Sequence, residues 1–326
     1  MKVLVTGGLG FIGSNFILKL LNENKDFSVI NIDAEFQGAD HSNLLAVKDN
    51  ERYSFVKGNI TNKNLMEKLI SEVDAIVNFA AESFVDRSIL DANPFLVSNI
   101  RGTYTILDLI KHKKKRFLHI STDEIYGSLK TETAKEDTKF NPSSPYAATK
   151  ASAELLVNSY NITFGCDAII TRCTNNYGPR QYPEKLIPKT ILLANQDKKI
   201  PIYGNGKNIR DWIFVGDHCE AILQVLLHGK GGESYNISAG NEIDNLVVVK
   251  KILEVMNKPE ELIEFVEDRP GHDVRYSLNS EKIRNQLNWK ENMNFEQGIK
   301  KTIEWYLANL DLFSNNQDTL QKTPWR

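Results

Sequence analysis

A glycine-rich turn near the start of the chain limits the possible fold more than any other feature. Its three glycines match a G-x-G-x-x-G pattern at Gly8, Gly10 and Gly13. The turn follows a strand pattern at 2–6 and opens a helical pattern from Phe11, and a second strand pattern (27–33) ends in Asp33. Glycines at this spacing let the backbone approach a pyrophosphate at the helix N-terminus, and the later carboxylate accepts hydrogen bonds from ribose hydroxyls. The segment therefore predicts a dinucleotide-binding βαβ unit.

The residues around Asp33 also indicate which dinucleotide is bound. Asp33 lies 20 residues beyond Gly13, and its carboxylate would repel a 2′-phosphate. The next three residues, Ala34, Glu35 and Phe36, supply no arginine to hold such a phosphate. The sequence therefore predicts NAD, rather than NADP, as the cofactor.

Strand and helix patterns alternate through the first half of the chain. Further apolar strand patterns occupy 53–59, 75–81, 116–122 and 167–173, and helical patterns occupy 62–71, 94–115 and 146–163. Near-continuous apolar strands separated by helices indicate a parallel sheet that is covered on both faces. We therefore expect an α/β protein with a doubly wound, parallel-sheet Rossmann fold.

After about residue 175 the pattern changes, and Gly, Pro and Asn punctuate shorter elements. Short helical patterns lie at 184–195, 217–228, 245–256 and 295–309, with isolated strands between them. We expect residues 1–175 to form the NAD-binding domain, with some later segments interleaved in its sheet. Residues 176–326 would form mainly a smaller C-terminal α/β lobe that binds the substrate.

Charge and composition argue against several classes of protein. The 40 basic and 42 acidic residues give a net charge of −2, so no overall field attracts nucleic acid or an anionic membrane. No stretch approaches the roughly 18 apolar residues of a membrane-spanning helix, and the first apolar run is too short for a signal peptide. The three cysteines lack CxxC spacing and indicate buried thiols in a reducing compartment. We expect a cytoplasmic protein with no metal site, nucleic-acid partner or membrane partner.

Two pairs of residues carry the predicted chemistry. Tyr146 and Lys150 form a Y-x-x-x-K pair near a predicted helix start, so the ammonium can stabilise a tyrosinate and also reach a bound ribose. A tyrosine pKa lowered in this way would make the phenol a base for a sugar hydroxyl. Asp123 and Glu124 follow Thr122 at the end of a strand, where a doubly wound sheet places its ligand. Elimination of water from a sugar needs such an additional acid and base.

These motifs together resemble the nucleotide-sugar branch of the extended short-chain dehydrogenase/reductase family. The resemblance to the dTDP-glucose 4,6-dehydratases covers nearly the whole chain, in TGGLGFIGSN, NFAAESFVDRSI, STDEIYGS, SPYAATKASAE, TRCTNNYGPRQYPEKLIP, YGNGKNIRDW and DRPGHDVRY. It implies conversion of dTDP-glucose to dTDP-4-keto-6-deoxyglucose, a precursor in deoxysugar synthesis such as that of dTDP-rhamnose. The implied steps are oxidation at carbon 4, loss of water across carbons 5 and 6, and hydride return to carbon 6, with NAD regenerated in each cycle.

The resemblance implies a role for each of five catalytic residues, namely Thr122, Asp123, Glu124, Tyr146 and Lys150. Tyr146 would take the proton of the 4-hydroxyl, and Thr122 would align that hydroxyl. Glu124 would remove the proton from carbon 5, and a protonated Asp123 would give its proton to the departing 6-hydroxyl.

The resemblance also implies two sets of binding residues. The cofactor would contact Gly7, Gly8, Gly10, Phe11, Ile12, Gly13, Asp33, Asn59, Ile60, Ala80, Ala81, Ser83, Ser98, Tyr146, Lys150 and Asn176. The nucleotide sugar would contact Phe84, Thr122, Asn175, Lys185, Leu186, Pro201, Ile202, Tyr203, Arg210, Asn245, Asp268, Arg269, His272 and Arg275. Arg210 and Arg275 suit a diphosphate because a guanidinium offers paired donors, although surface salt bridging is the alternative for both.

Some positions depart from the pattern of that family. A histidine is usual where this chain has Phe84, and an aspartate is usual where it has Asn59. The amide oxygen of Asn59 can still accept a hydrogen bond from an adenine amino group. Arg180 and the stretch AEFQGADHSN after Asp33 also differ from the usual residues.

Three alternatives to dTDP-glucose dehydration stay open. The first is the same chemistry on UDP-glucose. The second is a nucleotide-sugar 4-epimerase, against which the Asp123–Glu124 pair argues, because epimerases of the family usually carry small or uncharged residues there. The third is an NAD-binding regulator that uses the fold without catalysis.

The resemblance implies a homodimer, and the helical patterns agree with it. Helices around 94–113 and 146–163 carry apolar residues on more than one face, which is more than packing on one sheet requires. The residues concerned are Phe95, Leu96, Ile106, Leu107, Leu155, Leu156, Val157 and Tyr160. Pairing of these helices across a two-fold axis would produce a four-helix interface.

Overall fold

The computed structural model describes residues 1–23, 25–313 and 320. Its strands are β1 (Lys2–Thr6), β2 (Ser28–Asp33), β3 (Tyr53–Lys57), β4 (Ala75–Asn78), β5 (Arg116–Thr122), β6 (Asp167–Cys173), β7 (Asn175–Tyr177), β8 (Ile200–Tyr203), β9 (Ile209–Phe214), β10 (Ser234–Ile237), β11 (Glu242–Asp244) and β12 (Ile263–Val266). Its helices are α1 (Phe11–Glu23), α2 (Lys63–Ser71), α3 (Val85–Leu90), α4 (Asn93–Phe95), α5 (Thr103–Ile110), α6 (Pro145–Phe164), α7 (Leu186–Asn195), α8 (Val215–His228), α9 (Asn245–Val255), α10 (Glu281–Leu287) and α11 (Phe295–Ala308). A π-helical segment (Leu96–Gly102) joins α4 to α5, and short 3-10 helices lie at His41–Val47, Asp123–Tyr126, Glu260–Leu262 and Leu310–Phe313.

Seven strands form one sheet in the order β3-β2-β1-β4-β5-β6-β10. Every neighbouring pair in this sheet is parallel. The chain order reverses at β1, which pairs with β2 on one side and β4 on the other. Ligands of such open sheets bind outside the carboxyl ends of the strands at this reversal. The predicted fold class, a doubly wound parallel-sheet Rossmann fold, is confirmed.

Apolar side chains alternate between the two faces of the sheet and build a core on each. On β1, Val3 and Val5 pack toward α1 and α8, whereas Leu4 packs toward α2 and α5. All three side chains are fully buried. Helices therefore cover both faces, which is why the strands read as continuous apolar runs.

A smaller lobe is built from the second half of the chain. It contains a three-stranded sheet (β11-β9-β7) and a parallel pair (β12-β8). Its core lies among α7, α9 and α11, which bury Ile191, Ile252 and Ile303 beside Trp212 of β9. The chain nevertheless returns to the large sheet after this lobe has begun, because β10 pairs with β6.

Several element boundaries differ from the sequence-based prediction. The strands expected at 53–59 and 75–81 end at Lys57 and Asn78, because the backbone beyond them turns into loops at the carboxyl edge of the sheet. The single helix expected at 94–115 is instead α4, the π-helical segment and α5, which ends at Ile110. The short helices α3 and α10 were not predicted. Among the described residues, no helix is both long enough and apolar enough to cross a bilayer.

A buried ion pair connects α6 to the sheet. Arg172 of β6 donates from Nε and Nη2 to Glu154 Oε2 at 3.0 and 2.8 Å, and both side chains are almost fully buried. Arg172 also donates to the hydroxyl of Tyr126 and lies 5.3 Å from the centre of that ring. Since Tyr126 in turn donates to Asn236 of β10 at 3.1 Å, the pair links α6, β6 and β10.

Replacing Arg172 with methionine is expected to destabilise the protein by about 3–5 kcal/mol, because it leaves the carboxylate of Glu154 buried without its partner. Urea denaturation of the NAD-loaded protein measures this loss. The matched control is Arg116→Met, which breaks an ion pair with Asp167. In that pair the arginine side chain is 25% exposed and the aspartate side chain is 42% exposed. That variant is expected to lose at most about 1 kcal/mol. Equal losses in the two variants would contradict the prediction.

Candidate active site

The glycine turn between β1 and α1 forms a cradle of main-chain atoms. Gly7 has φ +69°, and a side chain there would place its Cβ 2.7 Å from the backbone nitrogen of Ala80. A Cβ on Gly13 would lie 2.5 Å from the carbonyl oxygen of Gly7. A Cβ on Gly10, by contrast, would meet only the carbonyl oxygen of Gly7, at 3.3 Å, and would otherwise enter the open cavity. This space at the start of a helix fits the pyrophosphate of a dinucleotide.

Asp33 lies at the end of β2 beside this cradle. Its Oδ2 accepts a hydrogen bond from the amide of Leu9 at 3.0 Å, and its Oδ1 accepts one from the amide of Glu35 at 2.8 Å. Burial raises the pKa of Asp33, and these two amides partly offset the rise. Each carboxylate oxygen keeps a second lone pair for a ribose hydroxyl, so the geometry fits the predicted role.

Asn59 is oriented differently from the sequence-based expectation. Its Oδ1 accepts hydrogen bonds from the amide and the hydroxyl of Thr61, at 2.9 and 2.8 Å. Both lone pairs of that oxygen are therefore used. Because the amide of Thr61 can only donate, the oxygen cannot exchange places with the NH₂ group, and Asn59 offers the cavity a donor rather than an acceptor.

One cavity brings the two predicted sets of residues together. It is lined by every predicted cofactor residue except Gly8, whose Cα faces Asn31 in the interior. The same cavity is lined by Thr122, Asp123 and Glu124, and by the predicted substrate residues Phe84, Asn175 and Lys185. The π-helical segment contributes Ser98 to its wall, and the next residue, Asn99, donates to Thr149 Oγ1 at 2.9 Å. Wide turns of this kind inside helices are frequent at functional sites.

The end of β5 presents the two carboxyl groups. Thr122 caps the short 3-10 helix that follows, and its hydroxyl accepts a hydrogen bond from the amide of Glu124 at 3.3 Å. The same hydroxyl donates to Asp123 Oδ1 at 3.2 Å. Asp123 is 4% exposed, and its Oδ2 has no hydrogen-bond partner among the described residues. This orphaned oxygen in the wall of the cavity is therefore available to a ligand.

The charges around the two carboxyl groups give them different tendencies to hold a proton. Burial raises the pKa of Asp123 well above its ordinary value, and repulsion from Glu124 raises it further. Burial also raises the pKa of Glu124, but the cations of Arg269 and Lys185 oppose that rise. Asp123 is consequently suited to carry a proton while Glu124 is ionised, an arrangement that separates an acid from a base.

The start of α6 aligns the tyrosine and the lysine. Ser144 caps the helix by accepting a hydrogen bond from the amide of Ala147 at 3.1 Å, and Pro145 occupies its first turn. The amide of Tyr146 donates to Ser88 Oγ at 3.2 Å, which anchors this turn to α3. Tyr146 and Lys150 therefore lie one turn apart and face the same cavity.

The expectation of a lowered tyrosine pKa is wrong for the protein alone. Burial raises the pKa of Tyr146 well above 10, and the nearby Glu124 raises it further. Burial also lowers the pKa of the Lys150 ammonium, to about 8. Its Nζ donates to the carbonyl oxygen of Ile120 at 2.6 Å.

The small lobe and α3 hold the predicted substrate residues by internal contacts. Arg210 stacks 4.2 Å from the ring centre of Tyr276 and donates to the carbonyl oxygen of Asp273 at 2.9 Å. Arg269 donates to Asp86 Oδ1 at 2.7 Å, and the hydroxyl of Tyr203 donates to Asp86 Oδ2 at 3.3 Å. Asp86 thus orients two predicted substrate residues, although the sequence analysis did not select it.

The remaining predicted substrate residues are distributed over the small lobe. Pro201 and Ile202 lie on β8, Leu186 and Asn245 begin α7 and α9, and His272 contacts Asp268 at 2.6 Å. The side chain of Ile202 is 2% exposed and belongs to the core of the lobe. Only its main chain is left to meet a ligand.

Arg275 differs from its predicted role. Its Nε and Nη2 donate to Glu242 at 2.6 and 2.8 Å, and its Nη1 donates to the carbonyl oxygen of Glu132 at 2.8 Å. All parts of the guanidinium are therefore engaged with the protein. The structure favours the alternative of salt bridging for this arginine.

Two further polar residues near the cavity were missed. His119 lies on β5 between Leu118 and Ile120 and is 1% exposed, and Asn78 ends β4 beside it. Both interrupt apolar strand patterns that are buried on two faces. A polar residue in such a strand is the signal that could have identified them, because a buried polar group needs a partner.

Comparisons with known proteins agree over almost the whole chain. A family profile described as GDP-mannose 4,6 dehydratase matches residues 4–302. The "Low-salt glycan biosynthesis protein Agl12" of Haloferax volcanii is 47% identical over 310 residues, which cover 95% of this chain and 99% of the relative. A dTDP-glucose 4,6-dehydratase of Actinoplanes sp. is 44% identical over 315 residues, covering 95% and 98%. The solved structure of DesIV, a dTDP-glucose 4,6-dehydratase from Streptomyces venezuelae with NAD and TYD bound, superposes with a TM-score of 0.94 at 40% identity and covers 96% and 99%.

Proposed function

The chain belongs to the GDP-mannose 4,6 dehydratase family, and from this premise we infer that it converts dTDP-glucose to dTDP-4-keto-6-deoxyglucose with NAD as cofactor. The observation that carries this inference is the carboxyl pair of the buried Asp123 and the half-buried Glu124, which lines the same cavity as Tyr146 and the glycine cradle. Hydride transfer alone needs only the tyrosine and the cofactor. Loss of water across carbons 5 and 6 needs a second acid and a second base, and the carboxyl pair supplies them.

The cofactor site fits NAD by its cradle and its carboxylate. The open space at Gly10 accepts the pyrophosphate, and Asp33 accepts hydrogen bonds from ribose hydroxyls. Lys150 donates toward a bound ribose, and Ser98 and Asn176 line the same cavity. When bound, NAD supplies a hydride acceptor and donor together with a positively charged nicotinamide ring.

Tyr146 acts as the base for the 4-hydroxyl of the sugar. In the protein alone burial holds its proton firmly, so positive charge that enters the cavity with the ligands must lower its pKa. The hydroxyl of Thr122 aligns the 4-hydroxyl, and the ammonium of Lys150 one helical turn away stabilises the phenolate. The tyrosine returns the proton when product leaves.

Glu124 and Asp123 carry out the elimination. A ketone at carbon 4 acidifies the proton on carbon 5, and the ionised Glu124 removes that proton. Asp123 keeps its own proton because of its burial, and it gives that proton to the 6-hydroxyl, which departs as water. Glu124 then gives its proton back to carbon 5 while carbon 6 receives the hydride that left carbon 4, and Asp123 takes up the proton that Tyr146 releases, so one water is lost and each group is restored.

The small lobe binds the nucleotide diphosphate. The charge of Arg210 acts on Asp123 and opposes the rise in the pKa of that carboxyl, and a guanidinium matches the paired oxygens of a phosphate. Arg269 and Lys185 provide further cations near Glu124. The ring of Phe84 packs 4.7 Å from Lys185 Nζ and replaces a polar contact with a cation–π contact.

Incubation of the purified protein with dTDP-glucose, and separately with UDP-glucose, tests the function. We expect a 4-keto-6-deoxy product from dTDP-glucose and no net consumption of added NAD. Formation of a carbon-4 epimer would instead indicate an epimerase. Reduced cofactor that accumulates in proportion to product would indicate an ordinary dehydrogenase, and faster turnover of UDP-glucose would reassign the nucleotide.

Replacing Asn59 with aspartate is expected to tighten NAD binding. One carboxylate oxygen would keep the two hydrogen bonds from Thr61, and the other would replace the NH₂ donor with an acceptor for the adenine amino group. A gain of one hydrogen bond corresponds to about a three- to tenfold lower dissociation constant, which calorimetry on cofactor-stripped protein measures. Asn62→Asp, which adds the same charge at the N-cap of α2, is the control and should change little. Weaker binding in Asn59→Asp would contradict the orientation assigned to the amide.

We also propose that the protein is a homodimer that pairs α5 and α6 with their counterparts. Of the apolar residues that predicted this interface, Phe95, Ile106, Leu107 and Val157 lie in the core. Exposed apolar side chains nevertheless cluster on these helices and the π-helical segment, at Leu96, Tyr104, Leu155, Ile162 and Phe164. Ile162 is 86% exposed and Leu155 is 60% exposed, which is costly for a surface that stays in water.

Light scattering at micromolar concentration tests the dimer. The wild type is expected to have twice the mass of one chain, and Leu155→Glu combined with Ile162→Glu is expected to halve it. The control is Leu90→Glu, which adds charge at an exposed leucine of α3. A monomeric wild type would refute the proposal.

We place the protein in the cytoplasm, since its three cysteines are free thiols of the kind that a reducing compartment maintains.

A further inference from the structure

A buried chain of hydrogen bonds crosses the large sheet behind the active site. The backbone amide of Ala80 donates to Thr6 Oγ1 at 3.2 Å, and the hydroxyl of Thr6 donates to Asn78 Oδ1 at 2.6 Å. Asn78 Nδ2 lies 3.2 Å from His119 Nδ1, and His119 Nε2 lies 3.5 Å from Lys150 Nζ. The four side chains are at most 3% exposed. The chain therefore runs through the interior from β1, β4 and β5 to α6, where Lys150 meets the cavity.

The orientation of the Asn78 side chain, with its oxygen toward Thr6 and its NH₂ group toward His119, determines the direction of the bonds in this chain. The backbone N–H of Ala80 can only donate, so Thr6 accepts there, and because Oδ1 of Asn78 faces Thr6, the hydroxyl donates its own proton to that oxygen. The NH₂ group of Asn78 then faces His119 Nδ1, which must accept. A neutral imidazole that accepts at Nδ1 carries its proton on Nε2. His119 thus presents an N–H group to the nitrogen of Lys150.

A donor in this position favours the uncharged amine of Lys150 over its ammonium. The amine accepts a hydrogen bond from His119. The ammonium instead meets the positive end of the imidazole dipole and, among the described residues, keeps only the carbonyl oxygen of Ile120 as acceptor. The other titratable groups that act on Lys150 are Glu154 one turn along α6 and Cys173 on β6. Burial keeps His119 neutral by lowering its pKa well below 6.5, so it does not repel the lysine with a full charge.

We propose that Thr6, Asn78 and His119 are positioning residues that act through Lys150, holding its nitrogen at the cavity and weakening its hold on its proton. The proposal rests on the proposed function, in which the ammonium form of Lys150 supports Tyr146. Activity is then lost as pH rises through the pKa of Lys150. An uncoupled lysine would keep its proton, and the enzyme its activity, to higher pH.

Two substitutions break the chain at opposite ends. Thr6→Val removes the hydroxyl that fixes Asn78, so the amide can turn its oxygen to His119 and the imidazole can offer a bare nitrogen to the ammonium. His119→Gln replaces the fixed N–H donor with an amide that can turn its oxygen to the ammonium. Thr6→Ser keeps the hydroxyl and is the conservative rescue. Thr171→Val is the matched control, because it removes a buried threonine hydroxyl of β6 that has no hydrogen-bond partner among the described residues.

The first readout is the pH dependence of kcat/KM for dTDP-glucose with NAD-loaded protein. The falling limb at high pH is expected to move upward by about one pH unit in Thr6→Val and in His119→Gln. Thr6→Ser and Thr171→Val should keep the wild-type limb. An unchanged or downward-shifted limb in both chain variants, or an equal shift in Thr171→Val, would overturn the proposal.

A second readout separates this proposal from the proposed function. The titration of Lys150 can be followed by NMR in holoenzyme with isotope-labelled lysine, and its signal is identified by its absence in Lys150→Arg. We expect the same upward shift in the two chain variants, whether or not dTDP-glucose is the substrate. A failure of wild-type protein to dehydrate dTDP-glucose would refute the function alone. An unshifted Lys150 titration would refute the role of the chain alone.

Discussion

Glu124→Gln is expected to stop the reaction after the sugar has been oxidised at carbon 4. The amide keeps the size and the backbone position of the side chain, and the glycine cradle and Tyr146 are unchanged. It cannot take the proton from carbon 5, however, and loss of a positioned general base costs about 10²–10⁴-fold in rate. Single-turnover absorbance should show reduced cofactor that forms and persists, while solvent deuterium fails to enter carbon 5. Glu132→Gln, an exposed change outside the cavity, is the control.

Asp123→Asn completes this test of the carboxyl pair. It removes the proton that the departing 6-hydroxyl needs, so dehydration should again be slow. Deuterium exchange at carbon 5 should survive, because Glu124 is still present. Near wild-type dehydration by both carboxamide variants would refute the roles of Asp123 and Glu124, and the chain would have to be reinterpreted as an epimerase or another redox member of the family.

Tyr146→Phe is expected to block the reaction one step earlier, with a loss of at least about 10³-fold. The ring stays in place because its packing on Phe95 and the hydrogen bond from its amide to Ser88 do not involve the hydroxyl. Neither reduced cofactor nor deuterium at carbon 5 should appear. Tyr160→Phe, on the same helix but away from the cavity, is the matched control. Appearance of reduced cofactor at the wild-type rate in Tyr146→Phe would show that another group is the base.

The βαβ unit, and the convergence of the proposed catalytic residues on one cavity, could be predicted because they depend on local patterns and on one property of parallel sheets. Gly8, Gly10 and Gly13 are spaced for a tight turn, and Asp33 ends the neighbouring strand. Thr122 and Cys173 end adjacent strands, and the carboxyl ends of parallel strands share one edge. Residues that follow strands far apart in the chain therefore had to converge.

The details that could not be predicted depend on partners that are distant in sequence or on burial. Arg275 pairs with Glu242, 33 residues away, and no spacing rule connects the two. The side-chain oxygen of Asn59 accepts two hydrogen bonds from Thr61, and the residue type of Asn59 alone does not reveal this local contact. The raised pKa of Tyr146 follows from burial, which is a property of the completed fold. The chain through His119 joins three strands and a helix, so it becomes visible only when they are assembled.

The return of the chain to the large sheet after the small lobe limits how this enzyme can be recombined. β10 hydrogen-bonds to β6, and α8 packs against α1, so segments from both halves of the chain complete one layer. A cut near residue 175 would leave the edge of β6 unpaired and one face of α1 uncovered. The small lobe is therefore not a unit that gene fusion can exchange between relatives as a single block. Replacements of individual residues in the cavity wall, such as those at Phe84 and Asn59, instead leave both layers intact.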